Sequence, residues 1–192
     1  MAVTTEAEER TILLLGDSIS AAYGMSLEQG WVSLLQEQLA STEHSARIVN
    51  ASISGETSDG GVRRLPALLE KHRPDLLLIQ LGGNDGLRGF PLSRLRENLT
   101  QMVRAAQTAG ARVLLLPMEI PPNYGARYTS EFRETFVAVA RETGAALAPF
   151  ILAAFATDPS MMQEDGIHPR SEAQPLIVKE VMPNILRMLD TP

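Results

Sequence analysis

The sequence predicts an α/β protein: one parallel β-sheet with helices packed on both faces. Three observations carry this. Five short apolar runs alternate with longer amphipathic stretches along the chain. The first, third and fourth runs are nearly continuous in Leu, Ile and Val, as strands buried on both faces must be. The length, 192 residues, suffices for one well-filled core and is too short for two ordinary domains.

Residues 1–10 are polar and acidic and read as a flexible N-terminal segment, leaving 11–192 as a single domain. The strand-length runs are 11–15, 47–51, 75–81, 112–117 and 145–148. Between them, 28–39 places Trp31, Leu34, Leu35 and Leu39 on one helical stripe, and 61–72 does the same with Leu65, Leu68 and Leu69. A longer helix over 94–109 stops at Gly110. Ser130 is placed to cap a helix carrying Phe132, Phe136 and Val139, which Gly144 ends. The last helix spans 171–189, with Pro175 in its first turns and Pro183 as a kink or break. Strand–helix alternation of this kind builds a parallel sheet, and its chemistry sits outside the carboxyl ends of the strands. The longest irregular stretches are 117–129 and 150–169.

Composition removes several classes of function. The net charge is −6 with no cluster of Lys or Arg, which disfavours nucleic acid and anionic membrane surfaces. The chain has no cysteine, so disulfides, thiolate metal sites and cysteine nucleophiles are excluded. No stretch approaches the roughly 20 apolar residues of a membrane span, so stable membrane insertion is not expected. Residues 1–10 lack a basic region followed by an apolar one, so they do not read as a signal peptide.

Four segments carry chemistry. Gly16-Asp17-Ser18-Ile19-Ser20 directly follows the first strand run. A strand-to-helix turn opened by glycine exposes a serine hydroxyl and leaves backbone N–H groups for an oxyanion, although Gly-Asp-Ser is also common turn chemistry. Asp165-Gly166-Ile167-His168 sets a carboxylate and an imidazole three residues apart, close enough to bond. The chain has three histidines. His44 lies in a polar connection, and His72 sits beside Lys71 and Arg73 at a helix end where cations fit. His168 is therefore the base available to Ser18. Gly82-Gly83-Asn84-Asp85 follows the third run and offers an amide donor, and Gly55 in Ser54-Gly55-Glu56-Thr57 follows the second and offers an N–H. Three segments at the carboxyl ends of strands and one in the long loop before the last helix can meet in one crevice.

These residues resemble the SGNH hydrolases of the GDSL type. The matching blocks are Ser18 within Gly-Asp-Ser, Gly55, Asn84 before Asp85, and Asp165-x-x-His168, in that order along nearly the whole chain. The stretches 51–57, 84–89 and 118–125 are similar to the bacterial arylesterase, thioesterase I and lysophospholipase group. The resemblance implies a three-layer α/β/α, flavodoxin-like fold with a five-stranded parallel sheet. It implies hydrolysis of acyl esters or thioesters, small molecules, with no metal or organic cofactor. Family members are usually exported to the periplasm or secreted, whereas a chain without a signal peptide leaves the cytoplasm open.

Joint placement suggests a mechanism. Ser18 attacks the acyl carbonyl, His168 takes its proton and Asp165 orients His168. The Ser18 and Gly55 N–H groups and the Asn84 side chain form the oxyanion hole, while Asp17 braces the loop. The loops 86–92 and 118–128 supply an apolar substrate wall of Leu87, Phe90, Leu92, Met118, Ile120, Pro121, Pro122 and Tyr124. Two other readings remain open at the level of sequence. One is a carbohydrate O-acetylesterase of the same fold. The other is a flavin- or nucleotide-binding module, because the loop after strand one of such a sheet can cradle phosphate.

Overall fold

The structure, a computed structural model, describes residues 9–44 and 46–190. The flexible segment expected over 1–10 lies outside the described residues as far as position 8, and Arg10 already opens the first strand. Five strands form one sheet: β1 (Arg10–Gly16), β2 (Ala46–Asn50), β3 (Leu76–Gln80), β4 (Arg112–Leu115) and β5 (Ala146–Leu147). Their order is β2-β1-β3-β4-β5, and every pairing is parallel. The helices are α1 (Trp31–Ala40), α2 (Ser58–His72), α3 (Gly83–Leu87), α4 (Leu92–Thr108), α5 (Ala126–Thr143) and α6 (Gln174–Asp190). α1 packs on α6, while α2, α4 and α5 pack side by side. The two groups cover opposite faces of the sheet, giving the three layers that the resemblance implies.

Continuous apolarity in the central strands has a plain cause. Ile12 to Leu15 of β1 and Leu76 to Ile79 of β3 are fully buried, because each strand meets a helix layer on both sides. On one face Trp31, Leu35 and Leu39 of α1 fill the space beneath α6. On the other, Phe132 and Phe136 of α5 pack edge to face, 5.4 Å between ring centroids.

Helix boundaries depart from expectation where distant residues cap them. α2 begins at Ser58, ahead of the expected 61, because the Asp85 carboxylate accepts from Ser58 N–H at 2.9 Å and from Ser58 Oγ at 2.5 Å. α1 starts where Trp31 N–H finds Gln174 Oε1 of α6 at 2.9 Å. Ser130 does not cap α5: that helix begins at Ala126 after Gly125, and Ser130 lies inside it. Pro183 does not break α6, which continues to Asp190. Gly83–Leu87 after β3 forms the short helix α3.

Truncating Phe132, which has no exposed surface, removes its contact with Phe136 and leaves a cavity. Phe132→Ala is expected to lower unfolding stability by about 3–5 kcal/mol, within the range for buried Phe, as read from urea denaturation midpoints.

Candidate active site

β1 is an interior strand of the sheet, between β2 and β3. The chain leaves β1 toward one side and returns to its other side through β2 and α2, so the loops after β1 and β3 diverge and leave a crevice. The register pairs Gly16 with Gln80. The loops carrying Ser18 and Asn84 therefore leave the sheet at the same level. Between Thr11 and Ser20, Ser18 is the one residue that is not buried.

The loop between β5 and α6 brings His168 over this crevice. His168 Nε2 lies 2.8 Å from Ser18 Oγ, and its Nδ1 lies 2.6 Å from Asp165 Oδ2. A carboxylate only accepts, so Nδ1 carries the proton and donates to Asp165. Nε2 is then the acceptor for the Ser18 hydroxyl. Burial acts to raise the Asp165 carboxyl, but bonds from the His168 backbone and ring and from Ile167 N–H outweigh it. The net effect holds Asp165 below its ordinary range, as a charged carboxylate. Its Oδ1 accepts the Ile167 and His168 N–H groups at 2.9 and 3.0 Å, which fixes the loop around the pair.

The donors expected for an oxyanion lie in the Ser18 turn itself and in the segments that follow β2 and β3. Asn84, near the start of α3, gives one amide hydrogen to Glu56 O at 2.9 Å and makes a long 3.5 Å contact with Asp17 Oδ2. Gly55 has φ 78, a left-handed conformation that a side chain would strain. Its carbonyl accepts from Arg88 Nη2 at 3.1 Å. Among the described residues, neither Ser18 N–H nor Gly55 N–H makes a hydrogen bond. Each is free to meet a developing negative charge. The Asn84–Glu56 and Arg88–Gly55 bonds tie α3 to the loop after β2, so these donors hold a common geometry.

Gln80 carries no role in the sequence reading, yet it organises the floor of the site. Its Oε1 accepts from Asp17 N–H at 3.3 Å and Ser20 Oγ at 2.7 Å, and its Nε2 donates to Asp17 Oδ1 at 3.0 Å. Asp17 Oδ1 also accepts Ile19 N–H at 3.1 Å. Asp17 thus braces the Ser18 turn, as expected. The available signal was a lone polar residue ending an otherwise apolar strand. Asp17 itself is 2% exposed, and burial pushes its carboxyl up to about 6 against the hydrogen bonds that lower it.

Beside Ser18 opens a cleft of about 380 Å³, within the range of small-molecule sites. Leu87, Met118, Ile120, Pro121 and Pro122 line it, as the substrate-wall expectation has it. Phe90, Leu92 and Tyr124 do not. Tyr124 supports the wall from behind, its hydroxyl donating to Leu87 O at 2.8 Å, and Leu92 opens α4. The opposite wall comes from a stretch the sequence reading left without a role: Phe150, Leu152, Ala156, Thr157 and Met162, with Ile167 beside His168. Its only trace in the sequence is a group of apolar residues in a long stretch without periodicity.

A serine–histidine–carboxylate relay at the carboxyl edge of a parallel sheet is the arrangement of the α/β serine hydrolases. Residues 14–174 match the GDSL-like Lipase/Acylhydrolase family, and the chain belongs to it. It is 49% identical to the esterase TesA of Pseudomonas aeruginosa over 187 residues, 97% of this chain and 93% of that protein. It is 44% identical to thioesterase 1/protease 1/lysophospholipase L1 of Escherichia coli K12 over 167 residues, 87% of this chain and 79% of that protein. A crystal structure of the psychrotrophic esterase EstA from Pseudoalteromonas sp., inhibited by monoethylphosphonate, superposes with TM-score 0.89. It shares 47% identity and covers 95% of this chain and 100% of that one.

The raised Asp17 carboxyl makes a stability prediction. A carboxyl near 6 in the folded chain and about 3.9 unfolded binds more protons folded than unfolded between those values. Folding stability therefore falls as pH rises through that window. Asp17→Asn removes the titration. The stability of the wild type minus that of the variant is expected to drop by about 3 kcal/mol between pH 3.5 and pH 7, measured by denaturant unfolding at each pH.

Proposed function

We propose that this protein is a serine esterase that hydrolyses carboxylic esters through an acyl-enzyme on Ser18. The observation that carries the reading is the continuous relay Ser18 Oγ–His168 Nε2–Asp165, with separations of 2.8 and 2.6 Å, beside an apolar cleft. His168 Nε2 accepts the hydroxyl proton as Ser18 Oγ bonds to the acyl carbon, and Asp165 supports the imidazolium that forms. The carbonyl oxygen becomes an oxyanion held by the Ser18 and Gly55 N–H groups and the Asn84 amide. The imidazolium then protonates the leaving alcohol, and the acyl group remains on Ser18. Water repeats the sequence to release the acid. A phosphate-cradling role for the loop after β1 would leave this relay without a use.

The cleft argues for a hydrocarbon acyl group rather than a sugar-linked acetyl group, because its walls are Leu87, Met118, Ile120, Phe150 and Met162. The relatives named as thioesterase and lysophospholipase extend the same reading to thioesters and lysophospholipids. Export to the periplasm or beyond belongs to this reading too and rests on the family resemblance.

Ser18→Ala is expected to abolish hydrolysis of p-nitrophenyl esters and covalent labelling by a phosphonate while the thermal midpoint stays near that of the wild type. Retained turnover would remove Ser18 from the mechanism. Asn84→Ala should lower kcat by about 10²–10³, the range for losing one oxyanion donor. A loss under about tenfold would leave Asn84 a structural tie to Glu56. A series of p-nitrophenyl esters of increasing chain length, run beside acetylated sugars and acyl-CoA, should favour acyl chains longer than acetyl.

A further inference from the structure

Tyr23 has no part in the chemistry above, yet its ring lies against the imidazole of His168. The ring centroids are 4.3 Å apart and the planes are inclined by 32°. The backbone is built to hold it there. Tyr23 N–H donates to Ser18 O at 3.2 Å. Tyr23 O accepts from Gln163 Nε2 at 2.8 Å, and the same amide donates to Pro169 O at 3.1 Å. Gln163 N–H in turn donates to His168 O at 2.7 Å. One glutamine thus joins the tyrosine's turn to the loop that carries the histidine.

The chain is left-handed on both sides of this tyrosine, at Ala22 (φ 55) and Gly24 (φ 77). A Cβ on Gly24 would collide with the Gln163 amide. Among the described residues, the other non-glycine with positive φ is Arg73, which ends α2 in the usual left-handed cap. Ala22 ends no named helix, but its left-handed φ closes the single turn in which Ala21 N–H bonds Asp17 O and Tyr23 N–H bonds Ser18 O, and so it aims Tyr23 back over the site. Strained backbone of this kind persists where its surroundings enforce it, commonly at functional sites. Burial is not the return, since Tyr23 stays 49% exposed. The contact obtained is the one with His168.

We propose that Tyr23 is a positioning residue for His168. Its ring covers one face of the imidazole, restricts rotation about the Cβ–Cγ bond and keeps Nε2 on Ser18 Oγ. Its electron-rich face also stabilises the imidazolium formed when Ser18 gives up its proton. The proposal rests on the assignment of His168 as the base. The other groups that face the ring are Asp165 at Nδ1, Ser18 at Nε2 and the buried Asp17 carboxyl, which interacts electrostatically with His168. The Tyr23 hydroxyl makes no hydrogen bond among the described residues, so the ring and not the hydroxyl carries the effect.

The test is the pH profile of p-nitrophenyl butyrate hydrolysis by the wild type, Tyr23→Phe, Tyr23→Trp and Tyr23→Leu, with Ser18→Ala alongside. An exposed cation–π contact is worth about 0.5–1 kcal/mol, which converts to about two- to fivefold in rate. Tyr23→Leu should therefore lose at least that in kcat with KM unchanged. Without the π face the imidazolium is less stable, so the acid limb should move to lower pH by about 0.4–0.7 unit. The ring ¹⁵N titration of His168, followed by NMR in the same variants, should move in the same direction. Tyr23→Phe and Tyr23→Trp should keep both properties. Tyr23→Met replaces the Leu variant if that one does not fold. Unchanged kcat and an unchanged acid limb in Tyr23→Leu would overturn the proposal, as would an equal loss in Tyr23→Phe. Retained hydrolysis in Ser18→Ala would sink the esterase reading instead. The NMR titration would still report whether Tyr23 acts on His168.

Discussion

The pairing of β1 with β3 is the constraint on which the rest depends. It places the first strand inside the sheet, between β2 and β3, with Gly16 level with Gln80. A parallel strand in that position must send its chain out to one side and receive it back on the other, and the connections separate above it. Three loops then rise from neighbouring strands around one opening. Ser18 and Asn84 line that opening together, and Gly55 lies in the segment that follows the adjacent strand β2. The strands themselves form because Ile12–Leu15 and Leu76–Ile79 remove continuous apolar surface from water on both faces.

Directly above that apolar layer lies a polar one. Gln80, Asp17 and Ser20 satisfy each other's hydrogen bonds under the Ser18 turn. Asp85, Ser58 and Asn98 do the same between α3, α2 and α4. Buried polar groups are costly unless paired, so each of these is held in one geometry. That rigidity passes to the site. Asn84 sits between the two clusters, and its amide position follows from both. The burial that lifts the Asp17 carboxyl to about 6 is the expense of this arrangement.

The mouth of the site is made differently. The His168 loop is fixed by its own carboxylate, since Asp165 binds two backbone N–H groups and the imidazole at once. Its attachment to the remainder of the protein runs through Gln163, which reaches the backbone of Tyr23 and of Pro169. The apolar cleft is then closed by Phe150, Leu152 and Met162 from the stretch leading into that loop. The imidazole of His168 and one wall of the cleft are therefore parts of one segment.

The strands were legible in the sequence because strand burial on two faces leaves an uninterrupted apolar run. The hydrogen-bonded pair Asp165 and His168 was legible because its members lie three positions apart and bond within one turn. Ser18 and His168 are 150 positions apart, and the sequence linked them by elimination among three histidines and by the order of the family blocks. Helix starts were less legible, because their capping groups come from elsewhere in the chain. Asp85 serves α2 and Gln174 serves α1, while the local candidate Ser130 serves no cap at all. One wall of the cleft was missed because Phe150, Leu152, Ala156 and Met162 follow no helical or strand period. Phe90 and Tyr124 were expected on the wall because they lie in the loops after the third and fourth strand runs, yet they do not line the cleft. By itself, then, the sequence determined the parallel α/β sheet and singled out Ser18, Asp165 and His168, since both rest on local pattern. The tertiary structure alone decided the floor under Ser18, the contact between Tyr23 and His168, and the shape of the cleft. Each of these depends on pairings between segments whose separation along the chain carries no local signal.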